Sequence, residues 1–256
     1  MARAKRHYLP GHVWHITHRC HKKEFLLKFA RDRCRWVEWL FEARKRYGLK
    51  ILNYIVTSNH IHLLVDGGGG GRHVIPDSIK LIAGRTAQEL NQRKKRKGAF
   101  WEDRYHATAV QQGDHLIKCL IYIDLNMVRT GIVNHPSEWE FSGYNEIQNP
   151  RQRYRIIDYE SMKNLFGFSD LNHMKEFHQK WINEALKNDR LKRENHWTQS
   201  VALGDKEFLQ SVKESLNHHA HGRFVESTDS GSFQLREAQT SYGLKSFEYP
   251  NTFVWS

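Results

Sequence analysis

The residues best suited to chemistry are His60 and His62, separated by Ile61 in the run Asn59-His60-Ile61-His62-Leu63-Leu64. The run reads as a strand. Successive strand side chains point to opposite faces, so the two imidazoles share a face with Cα atoms about 7 Å apart, and Ile61 turns into the core. Two imidazoles placed this way can share one divalent cation, without specifying which one. A second set follows Asp114. Tyr122 and Asn126 are four residues apart and share a helix face with Lys118 and Arg129, opposite an apolar stripe of Ile117, Leu120, Ile121, Leu125 and Val128. Each half alone has a plain reading: a chance histidine pair, and a surface helix with a tyrosine lying along it.

Taken together, the two halves suggest transfer at a phosphodiester. A phenol with a pKa near 10 is a poor nucleophile at neutral pH. A cation held by two imidazoles and an amide oxygen, with open positions for non-bridging phosphate oxygens, lowers the demand on it. Tyr122 would then attack in line, giving a phosphotyrosyl ester and a free hydroxyl on the other strand end. The ester conserves the bond energy, so a second hydroxyl can reverse the step and rejoin strands.

Several elements must position these groups. Residues 12–18 read as a strand. Residues 29–47 read as a helix, with Ala30, Cys34, Val37, Leu40 and Phe41 at helical spacing and Gly48 as its stop. Strands at 49–56 and 60–65 follow, joined by a turn at Thr57, Ser58 and Asn59. The glycine run 67–71 reads as a flexible loop. Pro76 opens a second helix with a stripe of Ile79, Ile82, Ala83, Ala87 and Leu90. Residues 105–111 read as a fourth strand, and Asp114 as the N-cap of a helix running to Arg129, closed by Gly131. This order is a split βαβ plan, a sheet with two helices on one face, plus one extra helix. Beyond residue 147 the composition shifts. Two further helices are expected, one carrying Met174, Phe177, Trp181 and Ile182, the other carrying Phe208, Leu209, Val212 and Leu216 after Asp205. Residues 218–234 are poor in apolar groups and are expected to be mobile.

Lys and Arg number 40 against 28 Asp and Glu, a formal net charge of +12. Such a balance favours a polyanionic partner. The cations cluster in Arg93-Lys94-Lys95-Arg96-Lys97, just before Phe100-Trp101, and Arg3, Lys5 and Arg6 add to them. Basic groups beside rings suit phosphates and stacked bases of single-stranded nucleic acid, although a charge run can also be a solvated face. No apolar stretch reaches the roughly 18–20 residues of a membrane span, and the basic start has no apolar signal core. Three cysteines, Cys20, Cys34 and Cys119, form no CxxC pair, so a reduced, cytoplasmic protein is expected.

Three blocks together resemble the single-tyrosine HUH transposases, named for a histidine-hydrophobic-histidine signature. The first is the His60-Ile61-His62 run. The second, Trp101-Glu102-Asp103-Arg104-Tyr105, resembles the tryptophan-x-x-arginine-aromatic block before the family's fourth strand. The third, Tyr122-Ile123-Asp124-Leu125-Asn126-Met127-Val128-Arg129-Thr130-Gly131, resembles tyrosine-isoleucine-x-x-asparagine-proline-valine-arginine-alanine-glycine, with Met127 and Thr130 replacing proline and alanine. The similarity is greatest to the transposases associated with repetitive extragenic palindromes. It covers residues 7–147, and 197–208 and 235–256 are similar to an extension carried by some members.

The resemblance implies an α+β architecture: a ferredoxin-like HUH domain at 1–147 and a mostly helical extension at 148–256. It implies Tyr122 as nucleophile, His60, His62 and Asn126 as metal ligands, and Mg²⁺ or Mn²⁺ as cofactor. It also implies a single-stranded or hairpin DNA substrate, no membrane or nucleotide cofactor, and a monomer or homodimer. Arg93, Lys94, Lys95, Arg96, Lys97, Trp101, Arg104, Lys118 and Arg129 are the expected DNA contacts. Trp101 reads equally as a core residue and Arg104 as an ion-pair partner. His15 and His18 read as packing or surface residues. Two competing readings are a non-catalytic binder of structured DNA or RNA and a hydrolytic metal nuclease.

Overall fold

The computed structural model describes residues 9–68, 71–188, 194–228 and 231–237. The basic residues Arg3, Lys5 and Arg6, two glycines of the 67–71 run, and most of the 235–256 stretch lie outside the described residues. The first half runs β1 (Val13–Arg19), α1 (Ala30–Tyr47), β2 (Lys50–Val56), β3 (His60–Asp66), α2 (Val74–Arg93), β4 (His106–Val110), α3 (Asp114–Asp124) and α4 (Asn126–Arg129). All of β1 to β4 were legible as strands. The helix expected to run from 114 to 129 is broken at Leu125 (φ −78°, ψ 6°), and Gly113 rather than Asp114 precedes it as N-cap. At the end of α1, Gly48 takes the left-handed conformation (φ 68°), which only glycine adopts without a steric cost.

Strand β1 pairs antiparallel with both β3 and β4, and β3 pairs with β2, giving the order β2-β3-β1-β4. The register sets Thr17 opposite His62 and His106, and Arg19 opposite His60, so these side chains share one face. Helices α1 and α2 pack on each other, while α3 covers the histidine-bearing face through β2, β3 and β4. Ile61, Leu63, Trp36 and Leu40 are fully buried in the core. Each such apolar side chain contributes roughly 1.5–3 kcal/mol of burial free energy.

The remainder contributes α5 (Tyr144–Gln148), α6 (Tyr159–Phe166), α7 (Leu171–Lys187), α8 (His196–Gln199), β5 (Ala202–Gly204), α9 (Lys206–Leu216), β6 (Arg223–Ser227) and β7 (Phe233–Glu237). Both expected helices are present, as α7 and α9. The extension also supplies strands, which the sequence reading did not anticipate. Strand β5 pairs parallel with β4, and β7 and β6 follow, so the sheet has seven strands among the described residues. The 218–234 stretch, expected to be mobile, holds β6 and the start of β7. Its strands are short and polar, and their pairing rather than their own composition makes them strands.

The chain after α4 also covers the other edge of the sheet, with residues on both sides of position 147. Val56 N–H donates to Phe141, Gly143 N–H to the Tyr54 carbonyl, and Asp158 N–H to Ile51. A Cβ at residue 143 would stand 2.3 Å from Asn53 Oδ1, so this approach needs glycine. No helix among the described residues is long and apolar enough to cross a membrane.

A chain cut after residue 147 leaves the β4 edge of the four-strand sheet unpaired and removes the Asp158 bond to Ile51 on β2. The expected outcome is aggregation or loss of cooperative melting, read by calorimetry beside the full chain. A soluble 1–147 fragment melting cooperatively at the full chain's temperature would contradict it.

Candidate active site

Strand alternation and strand pairing build the imidazole pair. The His60 and His62 rings have centroids 5.1 Å apart and planes at 83°. His60 Nδ1 lies 2.7 Å from Asn59 Oδ1 and 3.0 Å from Thr57 Oγ1. The amide nitrogen of Asn59 donates to the Lys23 carbonyl, which fixes its orientation. His60 Nδ1 therefore carries a hydrogen, and in the neutral form of the ring the nitrogen without one is Nε2. His62 is buried. Its Nδ1 meets His15 Nε2 at 2.9 Å, and its Nε2 meets Asn126 Nδ2 at 3.1 Å.

Helix α3 places the tyrosine. The Tyr122 ring centroid is 5.7 Å from that of His62 and 6.1 Å from that of His15. The Arg129 guanidinium lies over the Tyr122 ring at 4.1 Å and donates to the Tyr122 carbonyl at 2.7 Å. Trp197, from α8, stands 5.7 Å from the ring. Tyr122 is thus 7% exposed, not the surface tyrosine of the plainer sequence reading. Tyr122 and Arg129 line two cavities. The first, about 680 Å³, is also lined by His60, His62, Asn126, Arg104 and Thr17. The second, about 790 Å³, is also lined by Lys118, Ile121, Trp181 and Trp197.

Asp124, which the sequence reading passed over, locks the other side of α3. It is buried and accepts from Asn53 Nδ2 at 2.9 Å and from His178 Nε2 at 2.7 Å. Leu125 and Val128 pack against Ile182 and Ala185 of α7. A buried carboxylate between two apolar neighbours carries no sequence signal that separates it from an exposed one.

Burial pushes the pKa of His62 well below its ordinary 6.5, with the nearby His15, His60 and Arg129 charges adding to the effect. Burial also lowers His15, to about 3, against the opposing bond from the Trp197 carbonyl. Both rings are neutral at pH 7, the form in which imidazole binds metal. Asn126 Oδ1 is buried without a hydrogen-bond partner beside His62 Nε2. Turning that amide over would bring two acceptors together, an arrangement a cation between them would stabilise. Among the described residues no cluster of three or more His, Cys, Asp or Glu side chains is placed to hold a metal. Two imidazoles and one amide oxygen fit a cation whose other positions go to water or phosphate.

The expected DNA contacts separate into groups. Arg104 and Arg129 line the cavity that holds His60 and His62, and Lys118 lines the second cavity. Arg93 instead pairs with buried Asp32, and Arg96 bonds Asn91 and the Ala99 carbonyl. Lys94, Lys95 and Lys97 are exposed at the end of α2, with Lys94 4.9 Å above the Phe29 ring. Trp101 donates to the Ala83 carbonyl and stacks on His18 with centroids 4.0 Å apart, so of its two readings the structure favours packing.

Residues 10–126 match the family model described as Transposase IS200 like. This segment is similar to the IS200-like transposases. The match ends on Asn126 and includes His60, His62 and Tyr122. A solved REP-associated tyrosine transposase, bound to a REP hairpin, aligns over 62% of this chain and 94% of its own at 17% identity and a TM-score of 0.49. A candidate transposase from Deinococcus radiodurans R1 aligns over 51% of this chain and 97% of its own, at 17% identity and a TM-score of 0.33. No curated protein sequence matches the chain.

Two outcomes test this description. Asp124→Leu strands the buried Asn53 and His178 donors and should cost about 3 kcal/mol in urea unfolding; an unchanged midpoint would contradict the locking role. Folded His15 takes up a proton only near pH 3, whereas an unfolded histidine does so near 6.5. Between those values the unfolded chain binds more protons, so stability falls as pH drops from 6.5 toward 3. Thermal melts of His15→Gln should show a shallower loss across that window than the parent chain; an identical slope would contradict the assignment.

Proposed function

We propose that the chain is a metal-dependent single-stranded DNA endonuclease and strand transferase that acts on palindromic hairpins through a covalent phosphotyrosine. The observation that carries this reading is the meeting of Tyr122 with the His62 ring, itself against His60, in one cavity that also holds Asn126 with its unpartnered Oδ1. The match of residues 10–126 to the IS200-like transposase model supports DNA as the substrate.

In this reading His60, His62 and Asn126 hold Mg²⁺ or Mn²⁺, which when bound polarises the phosphate and offsets charge in the transition state. Tyr122 Oη attacks phosphorus as the bond to the leaving sugar oxygen breaks. The phenolic proton is balanced by the proton gained on that oxygen, leaving a phosphotyrosyl ester and a free hydroxyl. Arg129 stacks on the Tyr122 ring, restricts its rotation and brings a fixed cation to both cavities. Arg104 on one side and Lys118 on the other would meet backbone phosphates flanking the cut, with Lys94, Lys95 and Lys97 as peripheral contacts. The protein would work in the cytoplasm, as a monomer or homodimer.

A labelled hairpin oligonucleotide incubated with the protein and Mn²⁺ should yield a covalent adduct on a denaturing gel. Tyr122→Phe should abolish the adduct, and His60→Ala or His62→Ala should reduce it at least 100-fold, with folding intact by circular dichroism. Cutting that survives Tyr122→Phe would point to a hydrolytic nuclease. Tight binding without cutting under every metal would point to a binder alone.

A further inference from the structure

His15 lies on β1 and is fully buried. Its Nδ1 is 3.0 Å from the Trp197 carbonyl oxygen, and its Nε2 is 2.9 Å from His62 Nδ1. The two imidazole planes differ by only 9°. A carbonyl oxygen can only accept, so His15 Nδ1 carries a hydrogen. A neutral imidazole carries one, so His15 Nε2 is an acceptor, and the hydrogen between the rings belongs to His62 Nδ1. His62 Nε2, the nitrogen that faces Asn126, is then left with its lone pair.

We propose that His15, oriented by the Trp197 main-chain carbonyl, is a positioning residue that holds His62 in the tautomer whose Nε2 binds the divalent cation. The inference rests on the reading of His62 as a ligand. The same polarity follows from the opposite end. A nitrogen that gives its lone pair to a cation leaves the hydrogen on the other ring nitrogen, and a buried N–H needs an acceptor. His15 Nε2 supplies it.

The terminal acceptor comes from the extension, and that segment is pinned. The Ser200 carbonyl, three residues on, accepts from Thr108 Oγ1 at 2.7 Å and from His106 Nε2 at 2.9 Å, both on β4. Trp197 itself is buried, with its indole N–H donating to Glu194 at 2.7 Å. The extension therefore does more than widen the sheet: one of its carbonyls sets, through two imidazoles, which nitrogen of a ligand faces the cleft.

Outer partners of metal-bound histidine typically change metal affinity 10–100-fold. The test uses the full chain without DNA. Free Mn²⁺ is titrated by electron paramagnetic resonance, and ring protonation is read by ¹⁵N NMR of histidine-labelled protein. In the parent chain His62 should show a protonated Nδ1 and an unprotonated Nε2. His15→Leu should weaken Mn²⁺ binding 10–100-fold and mix the His62 tautomers. His15→Gln, whose amide oxygen can accept from His62 while its nitrogen donates to Trp197, should restore both to within a few-fold. A parent spectrum with His62 Nδ1 unprotonated overturns the proposal, even if His15→Leu fails to fold. Parent-like Mn²⁺ affinity in folded His15→Leu overturns it as well, as does His15→Gln binding no better than His15→Leu. If His62→Ala also leaves Mn²⁺ binding unchanged, the ligand reading fails with it; if His62→Ala abolishes binding, only the relay fails.

Discussion

The arrangement depends on one physical constraint: a neutral imidazole buried where the sheet meets α3, with both of its nitrogens engaged. His62 meets that constraint through His15 on β1 and Asn126 on α4. Its neighbour two residues earlier must share its face, because strand geometry allows nothing else. The helix that covers this face must then present a side chain that can approach the pair. Tyr122 takes that place because Leu116, Leu120 and Ile123 anchor α3 in the core and Asp124 ties it to β2 and α7. Polar groups that would otherwise be costly to bury thereby become a defined site.

The second half of the chain closes this arrangement rather than standing apart from it. Strand β5 completes one sheet edge, and the segment around Gly143 completes the other. Between them, Trp197 brings a ring to Tyr122 and a carbonyl to His15. Arg129 approaches Tyr122 from α4, after the break at Leu125. The phenol is thus held between an indole and a guanidinium, at a place where two cavities share a wall. For the proposed chemistry this is preorganisation: the nucleophile has little rotational freedom left to lose when substrate arrives.

The first half of the fold was legible because its signals are local. Period-two alternation around His60 and His62, helical stripes in α1 and α2, and Gly48 each reflect a rule that acts over a few residues. The three strands of the extension were not legible, since β5 is three residues long and β6 and β7 are polar. Pairing partners far along the chain define them. The candidate site divides in the same way. Tyr122, His60, His62 and Asn126 could be read from spacing and family blocks. His15 read as a packing residue, because no spacing rule links it to His62, 47 positions away. Trp197 and Asp124 were missed because their roles lie in a carbonyl and in a buried hydrogen-bond pair. The basic block at 93–97 shows a different limit of local reading. Its charges suggest one shared surface, yet Arg93 is spent on Asp32 and Arg96 on the turn that follows α2.

The most direct measurement is anomalous diffraction from Mn²⁺-soaked crystals of Tyr122→Phe bound to an uncut hairpin oligonucleotide. The account predicts one strong peak within coordination distance of the Nε2 atoms of His60 and His62 and of Asn126 Oδ1, with the residue 122 ring facing a phosphate on that ion. A peak elsewhere, or a phosphate beyond reach of residue 122, would contradict it.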